Sequence, residues 1–211
     1  MSNEFIEITA ILDVERYTNG LKVLVFDLDD TLYSEKEYVR SGYRKIAELF
    51  PQIFDAEKML WGFFLEKKLA IDEFLKQERI FSEENKKKCI DVYRFQEPDI
   101  HLYFGVLEML ERLKKQYKLG MITDGRPEGQ RKKIKSLGLE EIFDCIIVTD
   151  ELGGSEFRKP NEVAYRILAE KFNVGFDDMC YIGDNIKKDF IAPMKLGMRS
   201  IWFRNSDGLY S

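Results

Sequence analysis

Histidine, cysteine and proline are scarce in this sequence of 211 residues, which holds one histidine, three cysteines and five prolines. The single histidine, His101, lies in a polar connection, so neither a Ser-His-Asp triad nor a histidine-rich zinc site is expected. The three cysteines lie far apart without metal-ligand spacing, which indicates buried free thiols. Any chemistry should therefore come mainly from carboxylates.

The chain also lacks a long apolar run and a surplus of positive charge. No stretch approaches the ~20 apolar residues that span a bilayer, and the N-terminus does not resemble a signal peptide. We therefore expect a cytoplasmic protein without a membrane partner. The net charge of −5 at pH 7 argues against nucleic acid, which is bound through surplus lysine and arginine. A small phosphorylated partner stays compatible with this charge, and the sequence does not indicate an oligomeric state.

The apolar pattern predicts an α/β fold. Five short apolar runs predict buried strands at 21–27, 118–123, 144–149, 179–183 and 199–203. Between most of them, apolar residues recur every three or four positions, which predicts helices at 105–116, 127–137, 161–172 and 186–196. This alternation is typical of a Rossmann-like parallel sheet, here five-stranded, with helices on both faces. The carboxyl ends of its strands should share one edge, where ligands bind. Residues 1–20 give no strong signal.

One connection is far longer than an ordinary strand-helix loop and is purely helical in pattern. It predicts a small all-helical domain over 34–97, inserted after the first strand of an α/β domain formed by 1–33 and 98–211. Its helices are expected at about 34–50, 55–69, 71–79 and 83–96, the last with Ser82 as N-cap. Its aromatic residues are expected to fill its own core. Candidates for substrate contacts are Tyr33, Tyr38 and Arg40.

Two acidic motifs follow predicted strands. The first strand ends in DLDDT, residues 27–31, whose like charges repel at close range. Mg²⁺ would relieve this repulsion, because it prefers carboxylate, carbonyl and water oxygens. The second motif, GDNIKKD at 183–189, follows the fourth strand. In a parallel sheet the two strand ends can meet, so Asp27 and Asp184 could share one metal ion. Alternatively, Asp184 is only the N-cap of the next helix.

Two other strand ends offer groups that suit phosphate. Thr123 closes the second strand and is followed by Asp124 and Gly125, which gives a hydroxyl and the free N–H groups of a turn. Lys159 stands just before a helix that Pro160 can open, where it could neutralise phosphoryl charge. Each of these signals is weak when it is taken singly.

Together these features resemble the four ordered signature motifs of the haloacid dehalogenase superfamily. The resemblance extends over about 21–203 and consists of DLDDT, a threonine that ends strand two, Lys-Pro before a helix, and GDNIKKD. The Thr-Asp-Gly variant and the helical insert are similar to its small-metabolite phosphatases with an α-helical (C1-type) cap. The resemblance implies a Mg²⁺-dependent phosphatase that acts on a small phosphorylated metabolite, such as a sugar phosphate or nucleotide, through an aspartyl-phosphate.

The resemblance also implies a role for each motif residue. Asp27 would be the nucleophile and Asp29 the general acid and base, and crowding by other acids should favour the protonated form of Asp29. Mg²⁺ would be bound by Asp27, Asp184, the backbone carbonyl of Asp29 and, less directly, Asp189. The phosphoryl group would be held by Thr123, Asp124, Gly125 and Lys159. Lys159 would also restrain Asp27. Lys188 departs from the family pattern, since relatives often carry Asn or another small polar residue there, and this leaves the role of Asp189 open.

Two alternatives stay open. A phosphomutase of the same superfamily would retain the phosphoryl group for a second sugar. A receiver-like binding module, controlled by phosphorylation, also uses an aspartate, Mg²⁺, a threonine and a lysine on a parallel sheet. Receivers are shorter, however, and lack a helical insertion of this length.

Overall fold

The computed structural model describes residues 5–209, and the chain divides into two compact units. The first unit comprises the residues up to Glu35 together with those from His101 onward, and the second comprises Lys36–Ile100. Each unit has a hydrophobic core of its own. None of the helices within residues 5–209 is long and apolar enough to cross a membrane.

The described part of the chain contains six strands and eight α-helices. The strands are β1 (Ile6–Ile8), β2 (Val23–Phe26), β3 (Lys118–Thr123), β4 (Cys145–Val148), β5 (Met179–Gly183) and β6 (Arg199–Phe203). The helices are α1 (Glu35–Glu48), α2 (Ala56–Leu65), α3 (Ala70–Gln77), α4 (Glu83–Phe95), α5 (Val106–Lys114), α6 (Pro127–Ser136), α7 (Val163–Phe172) and α8 (Ile191–Leu196). Short 3-10 helices lie at Ile11–Tyr17, Thr149–Leu152, Ser155–Phe157 and Phe176–Asp178.

All six strands of the first unit are parallel and follow the spatial order β1-β6-β5-β2-β3-β4. The α/β fold with a parallel sheet is thus confirmed, but the predicted number of five strands was one too few. The additional strand, β1, pairs with β6 at the edge of the sheet. Its three residues include one exposed glutamate, Glu7, so the apolar pattern was too short to indicate a strand.

Strand β2 is covered on both sides, as expected for a central strand of a parallel sheet. All four of its residues are buried. Val23 and Val25 belong to a core that includes Leu168 of α7. The ring of Phe26 packs edge-on against Phe143, with the ring centroids 6.1 Å apart. Because side chains alternate along a strand, β2 contributes to two separate layers of packing.

The helix predicted at 186–196 is shorter than expected. It begins only at Ile191, because the preceding residues form turns. In these turns the backbone N–H of Asp189 donates to the carbonyl of Asn185 at 3.0 Å. The N–H of Asn185 in turn donates to the Asp189 carboxylate at 3.0 Å. This reciprocal pair replaces the first helical turn.

The second unit, together with the start of α1 at Glu35, contains helices α1 to α4. Its core includes the fully buried Ile46, Leu60 and Phe74. The aromatic residues of this unit pack largely against one another, as predicted, and Tyr38 meets Tyr93 edge-on with centroids 5.7 Å apart. The predicted N-cap of α4 is confirmed, since the Oγ of Ser82 accepts a hydrogen bond from the N–H of Asn85 at 3.0 Å.

Asp30 fixes the turn that follows β2. Its backbone lies in the left-handed region with φ 52°, which aspartate tolerates better than most residues. One carboxylate oxygen accepts from the N–H of Glu35 at 2.8 Å, and the other accepts from the N–H of Leu209 at 2.7 Å. This buried side chain therefore satisfies the start of α1 and anchors the C-terminal segment.

Replacing Asp30 with alanine should lower the free energy of unfolding by about 2 kcal/mol, because two backbone N–H groups lose their acceptor and alanine is disfavoured at positive φ. Asp30→Asn should cost less, since the amide keeps one acceptor oxygen and asparagine tolerates this backbone conformation. Urea unfolding of the three proteins measures both effects. Equal losses in the two variants would contradict the anchoring role.

Candidate functional site

Three carboxylates converge where β2 and β5 end. Asp27 follows β2 and Asp184 follows β5, and these two strands are neighbours in the sheet. Asp189 comes from the turns after β5. One oxygen from each of these side chains lies within 4.8 Å of the others. We refer to Asp27, Asp184 and Asp189 as the carboxylate triad.

Lys159 is the lysine inside this cluster, and its side chain is completely buried. Its Nζ lies 2.7 Å from an oxygen of Asp27 and 2.9 Å from one of Asp189. It also donates to the hydroxyl of Tyr181 at 2.9 Å. Burial alone would lower the pKa of Lys159, but the charges of Asp189 and Asp27 hold it well above its usual value. Lys159 is therefore a fixed positive charge beside the triad.

One lysine does not balance three carboxylates. Burial raises the pKa of Asp27 to about 7, against the opposing effect of the Lys159 charge. Burial and the charge of Asp27 raise the pKa of Asp184 to about 9. A cluster of this kind gains by binding a further cation. Its donor atoms are all carboxylate oxygens, so the residues fit a hard divalent cation such as Mg²⁺.

A missing side chain makes room for Asp189. A Cβ at Gly183 would lie 2.5 Å from an oxygen of the Asp189 carboxylate. Only glycine can therefore end β5 while Asp189 turns back against it. The carboxylate is completely buried, and it is held by Lys159 on one oxygen and by the N–H of Asn185 on the other. These contacts hold the Asp189 carboxylate close to those of Asp27 and Asp184.

The side chain of Asp29 has a different set of partners, although it lies only two residues from Asp27. Its carboxylate accepts from Nζ of Lys133 at 2.7 Å, from the hydroxyl of Tyr33, and from Nε2 of Gln130 at 2.9 Å. Burial would raise the pKa of Asp29, but the charge and hydrogen bond of Lys133, with the bonds from Tyr33 and Gln130, hold it below its usual value. The expectation of a protonated Asp29 was wrong for this structure. One lysine that is distant in the sequence, together with two neutral donors, outweighs the effect of burial on the pKa of Asp29.

Gln130 links Asp29 to the end of β3. Its Nε2 donates to Asp29 and also lies 2.5 Å from Oγ1 of the buried Thr123. Gly125 lies at φ +136°, and a Cβ there would come within 3.2 Å of the Gln130 side chain. The Thr-Asp-Gly turn thus leaves space for Gln130. Thr123, predicted to hold phosphate, has its hydroxyl directed at this amide.

The Asp124 carboxylate accepts hydrogen bonds from two lysine residues, from the backbone of one and the side chain of the other. One of its oxygens accepts from the backbone N–H of Lys159 at 3.0 Å and from the Thr149 hydroxyl at 3.1 Å. The other oxygen accepts from Nζ of Lys188 at 2.9 Å. Burial would raise the pKa of Asp124, but the charges of Lys159 and Lys188 hold it below its usual value. The Asp124 carboxylate is thus an acceptor for one ammonium group and one backbone N–H. Of Asp124 itself, only the backbone N–H can donate to an anion.

A polar cavity of about 160 Å³ opens at this edge of the sheet. Its lining residues are Asp27, Asp29, Glu35, Asp124, Arg158, Asp184, Asn185 and Lys188. Four of them belong to the predicted site. The other four predicted site residues, Thr123, Gly125, Lys159 and Asp189, do not line it. Lys159 and Asp189 contact its lining residues Asp27 and Asn185, respectively.

Several residues of the site were not predicted to belong to it. Gln130 and Lys133 lie one turn apart on α6, and this spacing behind the Thr-Asp-Gly turn was the available signal. Tyr33, predicted as a substrate contact, is fully buried and binds Asp29 instead. Glu35 gave no recognisable pattern, and Lys188 was noted only as a departure from the family pattern within GDNIKKD. Arg40, another predicted substrate contact, lies over the Trp61 ring within the second unit, 4.8 Å from its centroid.

Comparisons with known proteins agree with this arrangement. The family described as haloacid dehalogenase-like hydrolase matches residues 24–203. A glyceraldehyde 3-phosphate phosphatase of Pyrococcus abyssi is 32% identical over 101 residues, which are 47% of this chain and 41% of that protein. A glyceraldehyde 3-phosphate phosphatase of Methanocaldococcus jannaschii is 26% identical over 196 residues, 86% of this chain and 84% of that protein.

A solved structure is similar in fold. The HAD-hydrolase YfnB of Bacillus subtilis, bound to magnesium, aligns with a TM-score of 0.64 at 21% sequence identity, and 86% of each chain is covered. At this identity the comparison supports the α/β fold and leaves the chemistry to the residues themselves.

The pKa shifts in the site predict how stability depends on pH. Asp27 and Asp184 have pKa values of about 7 and about 9, raised from 3.8, and burial with the charge of Asp29 raises that of Glu35 to about 8. A raised carboxyl pKa favours folding at low pH, and this contribution is lost as the pH rises through the folded-state value. In EDTA, the thermal midpoint should therefore fall between about pH 6 and pH 9, by roughly 5 °C or more.

Adding Mg²⁺ should raise the midpoint, and more at about pH 9 than at about pH 6, because protons and a cation compete for the same oxygens. Asp184→Asn should reduce both the pH dependence and the effect of Mg²⁺. Part of the pH dependence should persist when Mg²⁺ is bound, because Glu35 also titrates and does not belong to the carboxylate triad. Differential scanning calorimetry gives these midpoints. A flat profile in EDTA would show that the triad carries no such repulsion.

Proposed function

Because this chain belongs to the haloacid dehalogenase-like hydrolases, we propose that it is a Mg²⁺-dependent phosphatase of a small phosphorylated metabolite, with Asp27 as the nucleophile. The observation that carries the proposal is the buried Asp27 carboxylate, which stands at the meeting point of the carboxylate triad and Lys159. The phosphatase names of the Pyrococcus and Methanocaldococcus relatives support the reaction class.

Mg²⁺ would be held by the carboxylate triad and the backbone carbonyl of Asp29. When bound, it would supply positive charge that screens the repulsion between the Asp27 carboxylate and a phosphate dianion. Support comes from the all-oxygen donor set within 4.8 Å and from the magnesium in the YfnB structure.

The chemistry of the first step falls to Asp27. Its carboxylate oxygen forms a bond to phosphorus while the bond from phosphorus to the leaving-group oxygen breaks, which gives an aspartyl-phosphate. Lys159 orients the attacking carboxylate through its 2.7 Å contact. In the second step a water oxygen attacks phosphorus, the bond to Asp27 breaks, and phosphate is released.

Asp29 handles the proton in both steps. It gives a proton to the departing oxygen and later takes one from the attacking water. The surroundings of Asp29 keep it ionised before substrate binds, since its pKa is lowered. A phosphoryl dianion beside it raises that pKa by charge repulsion, so Asp29 takes up its proton together with the substrate.

Specificity is assigned in this proposal to the second unit, Lys36–Ile100, as a cap. The support is its position in the chain, directly after the turn that carries Asp27, and its own hydrophobic core. A polar cavity of about 160 Å³ suits a phosphoryl group rather than a large apolar ligand.

The proposal is tested by measuring phosphate release from a panel of phosphorylated metabolites in the presence of Mg²⁺. At least one sugar phosphate, triose phosphate or nucleotide should yield free phosphate, and EDTA should abolish the release. Calcium should restore little activity, because its larger and irregular coordination shell would misplace Asp27. Asp27→Asn should remove turnover although the protein still folds. A tenth of the wild-type kcat in this variant would exclude Asp27 as nucleophile, and isomerised sugar phosphate without free phosphate would indicate a mutase.

Asp29 and Asp30 should differ in their effect on rate. Asp29→Asn should lower kcat by about 10²–10⁴-fold, because the proton donor and acceptor is lost. Asp30→Asn should have a much smaller effect, since Asp30 binds backbone N–H groups. Steady-state kinetics at saturating Mg²⁺ gives both values. Similar losses would mean that the acid and base role belongs to another residue.

A further inference from the structure

We propose that Lys188 is a second cationic ligand of the phosphoryl group and that Asp124 positions it over the cavity. This inference rests on the proposed function and adds a substrate-binding residue to it. It concerns the one motif position at which this sequence departs from the family pattern.

Lys159 is the lysine that was expected to bind phosphate. Three oxygens lie 2.7 to 2.9 Å from Nζ of Lys159, one each from Asp27, Asp189 and Tyr181. An ammonium group has three protons to donate. Lys159 also has no exposed side-chain surface. Its ammonium donates hydrogen bonds to Asp27 and Tyr181, and its contact with Asp189 is an ion pair without a hydrogen bond. Its charge acts on the site, but Lys159 does not line the cavity.

Lys188 has the opposite properties. Its side chain is 34% exposed and lines the same cavity as Asp27 and Asp184. Among residues 5–209, the hydrogen-bond partner found for its ammonium is Asp124, at 2.9 Å. Such a group can keep one bond to Asp124 and direct its other protons at an anion in the cavity.

Asp124 fixes where this charge stands. The side chain of Asp124 is 10% exposed, and its other oxygen is bound by the Thr149 hydroxyl and by the backbone N–H of Lys159. One buried carboxylate thus connects Lys188 to the segment that carries Lys159. Asp124 is a positioning residue in this account, and Lys188 is the residue that contacts the substrate.

The other cation of the cavity is less suited to the task. Arg158 lines the cavity, but its Nε and Nη2 each donate to Asp150 at 2.7 Å in a bidentate pair. This pair fixes the plane of the guanidinium, so the direction of its remaining N–H groups is set by Asp150, whereas the ammonium of Lys188 can rotate about its bond to Asp124. The geometry therefore favours Lys188 as the cation that meets the phosphoryl group.

The test uses inorganic phosphate as the probe and isothermal titration calorimetry with Mg²⁺ present. Lys188→Met should raise the dissociation constant for phosphate by about tenfold, the loss of one charge-assisted contact. Lys187→Met is the matched control, because it removes the same charge from an exposed neighbour outside the cavity. Its dissociation constant should stay within about twofold of the wild type. Lys188→Arg should retain part of the binding.

A double-mutant cycle tests the role of Asp124. Asp124→Asn should weaken phosphate binding when it is introduced into the wild-type protein. Introduced into Lys188→Met, it should weaken binding little further, because Asp124 acts by positioning Lys188. With a substrate from the release panel, Lys188→Met should raise KM more than it lowers kcat. Thermal midpoints identify a variant that is merely unfolded, and Lys188→Gln replaces Lys188→Met in that event.

The outcomes separate this inference from the proposed function. Equal phosphate binding by Lys188→Met and Lys187→Met overturns the inference and leaves a phosphatase standing. No phosphate binding by the wild type overturns it as well. Phosphate binding that depends on Lys188, in a protein that hydrolyses nothing in the panel, rejects the phosphatase and retains the site.

Discussion

The repulsion among three carboxylates, two of them buried and one half-buried, is the constraint on which the rest of the site depends. Asp27 and Asp184 meet because β2 and β5 are neighbours, and Asp189 joins them because Gly183 has no side chain to exclude it. Carboxylates in such a place are stable only if positive charge or protons accompany them. Lys159, buried against two of the three, supplies one charge. The negative charge that Lys159 leaves uncompensated is what allows the cluster to bind a further cation.

Two aspartates separated by one residue experience opposite environments. Burial raises the pKa of Asp27 to about 7, whereas Lys133, Tyr33 and Gln130 outweigh burial at Asp29 and lower its pKa. The proposed roles need the reverse protonation, an ionised Asp27 and a protonated Asp29, so the reaction would depend on the charges of Mg²⁺ and the phosphoryl group to shift both pKa values. The two environments differ because the two side chains point in different directions. Successive turns of the chain after β2 send one side chain toward β5 and the other toward α6.

The sequence allowed the sheet, the motif residues and their shared edge to be predicted, because buried strands and strand-end motifs are local patterns. It did not allow β1 to be predicted, since three edge residues carry too little apolar pattern. Nor did it indicate Lys133, whose partner Asp29 lies 104 positions away. A lysine on a helix is usually solvated, and only the packing of α6 against the β2 turn distinguishes this one. The protonation state of Asp29 was predicted wrongly for the same reason.

The three lysines of the site come from three different segments of the chain, and each lysine is paired with a carboxylate from another segment. Lys133 follows β3 and binds Asp29, Lys159 follows β4 and binds Asp27, and Lys188 follows β5 and binds Asp124. Counted with the rest of the triad, five aspartates face three lysines, which leaves two negative charges. Without a metal, protons compensate for part of this excess, as the raised pKa of Asp184 indicates. A single divalent cation would match the same excess without protons, and in the proposed reaction this cation would keep Asp27 ionised for attack on phosphorus.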